Sequence, residues 1–254
     1  MLKKFIMLFI LSCSGISAEE INLSRFEKSI YSHNGEDGVL AKLNQLLKSE
    51  TRTCVELGAG DGTKGSCAYL LRKQGWECLL LDRAYEEPGI HLYKEFLTAE
   101  NINAIFEKYN VPEDLNILII DLGFNDFYIW KALHQRYKPN LVLIHYNSSL
   151  GTEDKVVTYR PFFCGDGTDY FGASIQALHH LGKARGYSLI YAEHSGNTLF
   201  FLRDEIMEAK NLSFKNCNDV EKLFLSIRSR KEGDFREDPK KRPYLTSASL
   251  INKK

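Results

Sequence analysis

The chain has 254 residues, with 33 Lys and Arg against 33 Asp and Glu, and 44% of it is hydrophobic. That length suits one α/β domain with short additions, and the apolar share is ample for a single core. A formal net charge of +0 argues against a polyanionic partner, so no nucleic acid is expected to bind.

The chain opens on Lys3-Lys4, the apolar run Phe5 to Leu11, and small residues up to Ala18. A basic start, a short apolar run and a small-residue site predict an export leader over 1–18, cleaved after Ala18. The run is too short to span a bilayer as a helix. Ile10-Leu11-Ser12-Cys13 is also similar to a lipobox, in which lipid on Cys13 would associate the protein with a membrane. Two compartments stay open: periplasmic, secreted or lipid-anchored if the leader is processed, cytoplasmic if it is retained. Cys54, Cys67, Cys78, Cys164 and Cys217 show no C-x-x-C spacing and no disulfide framework. Cys54 and Cys78 fall on expected buried strands, where a thiol acts as a small hydrophobe and a disulfide is not implied.

Past the leader, Val39, Leu40, Leu43, Leu46 and Leu47 recur at helical spacing, which predicts a helix over Ser32–Ser49 with Asn34 as N-cap. Strands follow at Thr53–Leu57 and Glu77–Leu81, with a helix over Gly65–Lys73 between them. A short strand is expected at Tyr93–Leu97 and a helix at Glu100–Tyr109. Leu115 to Ile120 is almost continuously apolar, as is Leu141 to Ile144, the pattern of parallel strands buried on both faces. A helix over Asp126–Tyr137 separates them. Gly151 to Thr168 reads as loop, Phe171 to Arg185 as helix, and Tyr187–Ala192 with Thr198–Leu202 as a closing antiparallel pair. From Ile227 to Arg242 charges are dense, which predicts an exposed or partly disordered tail. Strands alternating with helices favour one α/β domain over 19–215, followed by a charged helix and tail over 216–254.

The most informative segment is Cys54-Val55-Glu56-Leu57-Gly58-Ala59-Gly60-Asp61-Gly62. An acid closes a strand and glycines follow at alternate positions, which suits a sharp turn whose bare backbone approaches a ligand. The next strand ends in Asp82, placed to accept from the hydroxyls of an adenosine ribose. The pair resembles the cofactor site of class I S-adenosylmethionine (SAM) methyltransferases, since the chain reads E-x-G-x-G-x-G where a dehydrogenase would read G-x-G-x-x-G.

Three further blocks extend the resemblance: Ser32-His33-Asn34-Gly35-Glu36-Asp37-Gly38, Phe96 to Asn103, and Gly165 to Ala173. Together with the glycine segment they look like a branch of the FkbM-type SAM methyltransferases, over roughly Ser32 to Arg203. The resemblance implies a Rossmann-like, doubly wound, mostly parallel seven-stranded sheet with one antiparallel closing strand. It also implies SAM as cofactor and methyl transfer to a hydroxyl oxygen of a small-molecule or glycan acceptor. Carried over, Glu56, Gly58 and Gly60 shape the methionine end of the cofactor, Asp82 takes the ribose, Glu100 and Asn101 the adenine, and Asp121 stands beside the methyl. Turn capping is the other reading for Glu56 and Asp82, and helix N-terminal placement the other reading for Glu100 and Asn101.

Two departures fall at the expected active face. The resemblance predicts Ile-Asp-Ile-Asp-Gly-Asn-Asp after the fourth strand, where this chain has Ile120-Asp121-Leu122-Gly123-Phe124-Asn125-Asp126. It predicts a glutamate after the fifth strand, where His145 stands before Tyr146-Asn147. Asp121 is then the first candidate for a base on the acceptor and His145 the second. Asp166, Asp169 and Tyr170 are candidates for holding the acceptor, with turn formation as their other reading. No metal site is expected, because the adjacent His179 and His180 point to different helix faces. The export leader and the altered motifs together support a rival reading, an inactive methyltransferase fold serving as an exported binding protein. A hydrolase is disfavoured because no Gly-x-Ser-x-Gly elbow occurs.

Overall fold

The computed structural model describes residues 20–49, 51–162, 165–224 and 237–252. The leader, Cys13, Cys164 and most of the charge-dense tail segment lie outside the described residues.

In chain order the elements are α1 (Glu36–Leu47), β1 (Thr53–Leu57), α2 (Ala68–Lys73), β2 (Glu77–Asp82), β3 (Leu92–Lys94), α3 (Ile102–Lys108), β4 (Ile117–Ile120) and α4 (Asp126–Ala132). They continue as β5 (Leu141–His145), α5 (Ile175–Ala184), β6 (Tyr187–Ala192), β7 (Thr198–Arg203), α6 (Asp204–Ala209), α7 (Val220–Leu223) and α8 (Ser247–Ile251). The seven strands form one sheet in the order β3-β2-β1-β4-β5-β7-β6. The first five run parallel, and β7 is antiparallel to both β5 and β6. The expected seven-stranded doubly wound sheet with one reversed strand is therefore present.

Continuous apolar strands make this sheet because both of its faces are covered. Val55, Leu57, Leu118, Ile120, Val142 and Ile144 pack with α3, α4 and α5 on one side. Cys54, Leu80, Ile117, Ile119, Leu141 and Leu143 pack with α1 and α2 on the other. Cys54 lies in register with Cys78 across β1 and β2, and both are free thiols inside that second layer. Burial pushes the Cys54 thiol up, as expected of a packing residue.

Several element ends differ from the sequence expectation. Asn34 does not cap α1: Gly35, at φ +98, takes the cap position without a side-chain bond. The Glu36 carboxylate instead reaches back to accept the Asn34 amide at 2.9 Å. The second helix starts at Ala68 rather than Gly65, whose backbone is left-handed at φ +91. The fifth helix starts at Ile175, because the Ser174 hydroxyl caps it by accepting from the Ala177 amide at 3.2 Å. α4 stops at Ala132, where Leu133 turns extended, and the third strand spans only Leu92–Lys94. Residues 237–252 return to the domain: Leu245 bridges Val156, and buried Ser247 donates to Asp154. Among the described residues no helix is long and apolar enough to cross a membrane.

Candidate functional site

In a doubly wound sheet the crevice opens where the connections leaving two neighbouring parallel strands part to opposite sides, here between β1 and β4 at their carboxyl ends. β1 feeds a turn in which Gly58 (φ +89) and Gly60 (φ +57) are left-handed. At Gly58 glycine is obligatory, since a Cβ there would stand 2.0 Å from the Asp121 carbonyl oxygen. The turn and the end of β4 thus approach backbone to backbone. At Gly60 nothing lies within 4 Å of the Cβ position, so its bare backbone faces open space.

Asp82 closes β2 and fixes this turn from the side. One carboxylate oxygen accepts from the Gly60 amide at 3.0 Å. The other accepts from the Ala84 amide at 2.8 Å and the Tyr85 amide at 3.3 Å. Between these parts lies a cavity of about 230 Å³ lined by Gly58, Gly60, Asp82, Arg83, Glu95, Phe96, Leu97, Asp121, Leu122, Phe124, Asn125 and Pro161. It brings together Gly58, Gly60, Asp82 and Asp121 of the sequence candidates. The other lining residues were missed. Phe96 and Leu97 had a signal, because they open a motif block, and the remainder come from loops with no distinctive spacing. Phe96 stacks on Phe162 with ring centres 5.3 Å apart at the cavity edge.

Three cofactor candidates lie outside this lining. Glu56 is buried, and its carboxylate accepts from the Ser66 hydroxyl, the Cys67 amide at 2.9 Å and the Ala68 amide at 3.2 Å. Its side chain caps α2 from behind. Burial pushes its pKa up to about 7, those hydrogen bonds pull the other way, and the charge of Asp121 adds to the rise. Glu100 is exposed and accepts from the Tyr159 hydroxyl at 2.6 Å, which holds its carboxyl below the usual range. Asn101 closes a small turn, accepting from the Thr98 amide at 2.7 Å and donating to the Phe96 carbonyl at 2.8 Å. It therefore shapes the backbone that presents Phe96.

The two base candidates meet on the far side of β4. Asp121 lines the large cavity and also a recess of about 30 Å³ that includes His33, Asn34, Glu36, His145 and Thr198. Asp126, which begins α4, is buried beside Asp121 and accepts from the Leu122 amide at 2.8 Å, while its second oxygen has no partner. Burial, and then the charge of Asp121, push the Asp126 pKa up to about 8.

The acceptor candidates are engaged by the C-terminal segment. Arg242 pairs with Asp166 at 2.8 Å, donates to Thr168 at 3.0 Å and lies 4.1 Å over the Tyr170 ring. Asp169 accepts from the Asp238 amide at 2.9 Å, and the Tyr170 hydroxyl donates to the Pro243 carbonyl at 2.9 Å. The loop over 165–170 is thus clamped rather than open. Among the described residues no group of three His, Cys, Asp or Glu side chains is placed to hold a metal ion.

No protein-family model matches the sequence, and no curated protein matches it. Among solved structures the chain is similar to a SAM-dependent methyltransferase from Archaeoglobus fulgidus, at 12% identity over 62% of this chain and 73% of that one, with a TM-score of 0.36. It is similar to an O-methyltransferase family protein from Burkholderia thailandensis, at 12% identity over 66% of this chain and 57% of that one, TM-score 0.39. A third is a SAM-dependent methyltransferase from Bacteroides fragilis in complex with S-adenosyl-L-homocysteine, at 13% identity over 62% and 74%, TM-score 0.35. Similarity this distant carries no inference about chemistry, which rests on the site itself.

Proposed function

We propose that this protein is a SAM-dependent methyltransferase of the FkbM type that acts on a hydroxyl oxygen of a small or glycan acceptor. The observation that carries the reading is the Asp82 carboxylate locked against the Gly60 amide at the β1/β4 switch point, with Asp121 across the same cavity. Gly58 lets the turn close on the end of β4, and Gly60 leaves room for a ligand against bare backbone, where a Cβ on Gly60 would stand. In this reading Asp82 and the glycine turn hold the ribose, and Phe96, Leu97 and Leu122 supply the apolar shelf for a flat base. SAM supplies an electrophilic methyl group on a sulfonium. The protein's share is then alignment and proton removal. Asp121 receives the acceptor proton, with His145 the alternative base on the same recess. Titration of the purified protein with SAM and S-adenosylhomocysteine by calorimetry tests the cofactor. Labelled SAM against a panel of sugars and small alcohols tests transfer.

A second reading, a cofactor-binding protein without turnover, is favoured by the clamp on Asp166, Asp169 and Tyr170. All three already have a partner in the C-terminal segment while it is seated. Micromolar cofactor binding with no transfer across the panel supports that reading.

A further inference from the structure

β5 ends at His145 and α5 begins only at Ile175, a far longer gap than the roughly 2–6 residues of an ordinary βα loop. The gap has a stem. Val156 bridges Ala173, the Val157 amide donates to the Gly172 carbonyl at 3.1 Å, and the Ser174 amide donates to the Lys155 carbonyl at 2.9 Å. Two arms, 157–162 and 165–172, rise from it. They lace the mouth of the large cavity from wall to wall. On the β3 side the Tyr159 hydroxyl accepts from the Ala99 amide at 2.9 Å and donates to Glu100 at 2.6 Å. On the β4 side the next residue, Arg160, offers its carbonyl to the Asn125 side-chain amide at 3.0 Å. Pro161 lines the cavity between them, and Phe162 returns to the β3 side to stack on Phe96. The second arm lies on the β4 side, with Gly165 so close to Phe124 that a Cβ would stand 2.5 Å from its ring. Phe96, Phe124 and Asn125 all line the cavity, so the arms tie its two walls together.

The lacing consists of single hydrogen bonds and ring contacts, each weak alone. The stronger holds come from behind, from the C-terminal segment. Leu245 adds a third strand to the stem, exchanging both backbone hydrogen bonds with Val156 at 2.8 Å. Arg242 pairs with Asp166 on the second arm at 2.8 Å, and Asp238 fixes that guanidinium through two bonds, at 2.8 and 3.0 Å. Charge-assisted bonds of this kind are about twice as strong as neutral ones. One segment therefore grips both the stem and the second arm, while none of its residues lines the cavity.

We propose that the arms 157–162 and 165–172 are a flap that gates the large cavity, and that the C-terminal segment 237–252 is the clasp that sets how often it opens. A nucleoside-sized ligand enters and leaves past Pro161 when the contacts to Phe96, Asn125 and Phe124 part together. The identity of that ligand rests on the methyltransferase reading, and the flap itself does not.

The test separates rates from affinity. Surface plasmon resonance gives the association and dissociation rates of S-adenosylhomocysteine on the full chain. A gate slows entry and exit alike, so Arg242→Ala is expected to raise both rates by about tenfold and to keep their ratio within about threefold of wild type. Tyr159→Phe, which loses one hydroxyl at the lacing, should raise both by about threefold. Val156→Cys combined with Leu245→Cys shuts the clasp covalently on oxidation, because hydrogen-bonded antiparallel partners stand about 5.5 Å apart at Cα, within disulfide reach. Both rates should then fall by about tenfold and recover on reduction, with wild type taken through the same redox cycle as control. Hydrogen exchange reads the flap without a ligand. A flap that opens as one unit requires Arg242→Ala to speed the Val157 and Thr158 amides of the first arm, and Tyr159→Phe to speed Thr168 and Tyr170 of the second, each several-fold. Exchange confined to the arm that the substituted residue touches, or an association rate that Arg242→Ala does not move, overturns the proposal. Should Arg242→Ala fail to fold, Tyr159→Phe and the cysteine pair decide by the same readouts. Failure of S-adenosylhomocysteine to bind wild type refutes the methyltransferase reading alone, and the exchange pattern then decides the flap.

Discussion

The Asp82 carboxylate accepts the Gly60 amide at 3.0 Å, which ties the last residue of β2 to the turn leaving β1. A single side chain thereby fixes the turn that lines the cavity and offers its remaining lone pairs to a ligand. Asp82→Ala removes three backbone acceptor contacts at once, to Gly60, Ala84 and Tyr85. Affinity for S-adenosylhomocysteine is expected to fall by about 1–3 kcal/mol, the scale of hydrogen bonds to a charged group. Calorimetry measures it, and an unchanged affinity in the folded variant removes Asp82 from the site.

The two glycines of the turn separate folding from binding. Gly58→Ala puts a methyl 2.0 Å from the Asp121 carbonyl oxygen, a backbone atom that cannot step aside, so the variant is expected to melt well below wild type or not to fold. Gly60→Ala meets nothing within 4 Å and bears only the left-handed backbone cost, about 1–2 kcal/mol. Its methyl stands at the cavity, so cofactor affinity is expected to drop more than thermal stability. Equal melting temperatures for the two variants would contradict this division.

The sheet was legible because its signals are local. Near-continuous apolar runs at Leu115–Ile120 and Leu141–Ile144, together with glycine and acid at strand ends, need no knowledge of distant contacts. Side-chain roles were less legible where a partner far along the chain captured the group. Glu56 sits where a ligand-facing acid was expected, but Ser66, Cys67 and Ala68 engage it. Only the serine hydroxyl and the first turn of a short helix hint at that. Glu100 is taken by Tyr159, and Asp166 by Arg242 from the far end of the chain. Glu36 lies in a motif that gives no hint of its surroundings, because its recess is closed by Thr198 and His145, which only the strand order brings beside it.

Asp126 gives a pH prediction with a definite sign. Its folded-state pKa is raised from 3.8 to about 8, so the folded protein holds a proton that the unfolded chain has lost between those values. Its contribution to stability is therefore greatest below the unfolded value and declines as pH rises toward about 8. Asp126→Asn can keep an oxygen for the Leu122 amide while placing a neutral group where the second oxygen has no partner. At about pH 9 the variant is expected to be more stable than wild type by about 1–3 kcal/mol, with the difference vanishing near pH 4. Glu56, raised from 4.5 to about 7, adds a slope of the same sign that the variant retains below neutrality. Urea unfolding across pH measures both, and a wild type that gains stability toward pH 9 relative to Asp126→Asn would refute the assignment.

Arg242 holds the 165–170 loop through Asp166, Thr168 and the Tyr170 ring, while Asp238 holds Arg242 in turn at 2.8 Å. Arg242→Ala is expected to release that loop without disturbing the sheet. Hydrogen exchange should then speed up several-fold at the amides of Thr168 and Tyr170, with exchange in β4 and β5 unchanged. Cofactor affinity is expected to stay near wild type, because the clamp residues do not line the large cavity. If the clamp blocks the acceptor, transfer by Arg242→Ala should exceed that of wild type on the same panel. Loss of transfer would instead make the clamp part of the acceptor site.

Asp121 stands where the two halves of the site meet, since it borders both the large cavity and the recess. Its amide donates to the Leu57 carbonyl at 2.9 Å, and its own carbonyl lies under Gly58, so the backbone is fixed to β1 whatever the side chain. Asp121→Asn is nearly isosteric and should fold as wild type. It removes the charge able to take a proton from an acceptor hydroxyl at the crevice between β1 and β4. Loss of a general base costs about 10²–10⁴-fold in rate, so turnover is expected to fall on that scale while affinity for S-adenosylhomocysteine falls far less. The same substitution removes a charge that raises both Glu56 and Asp126, so the pH dependence of unfolding should shift toward lower pKa values for both. That second readout shows whether the asparagine sits where the aspartate did. His145→Gln, on the recess side only, is expected to cost less than Asp121→Asn. A reversed order, with Asp121→Asn near wild type and His145→Gln impaired, would move the base to β5.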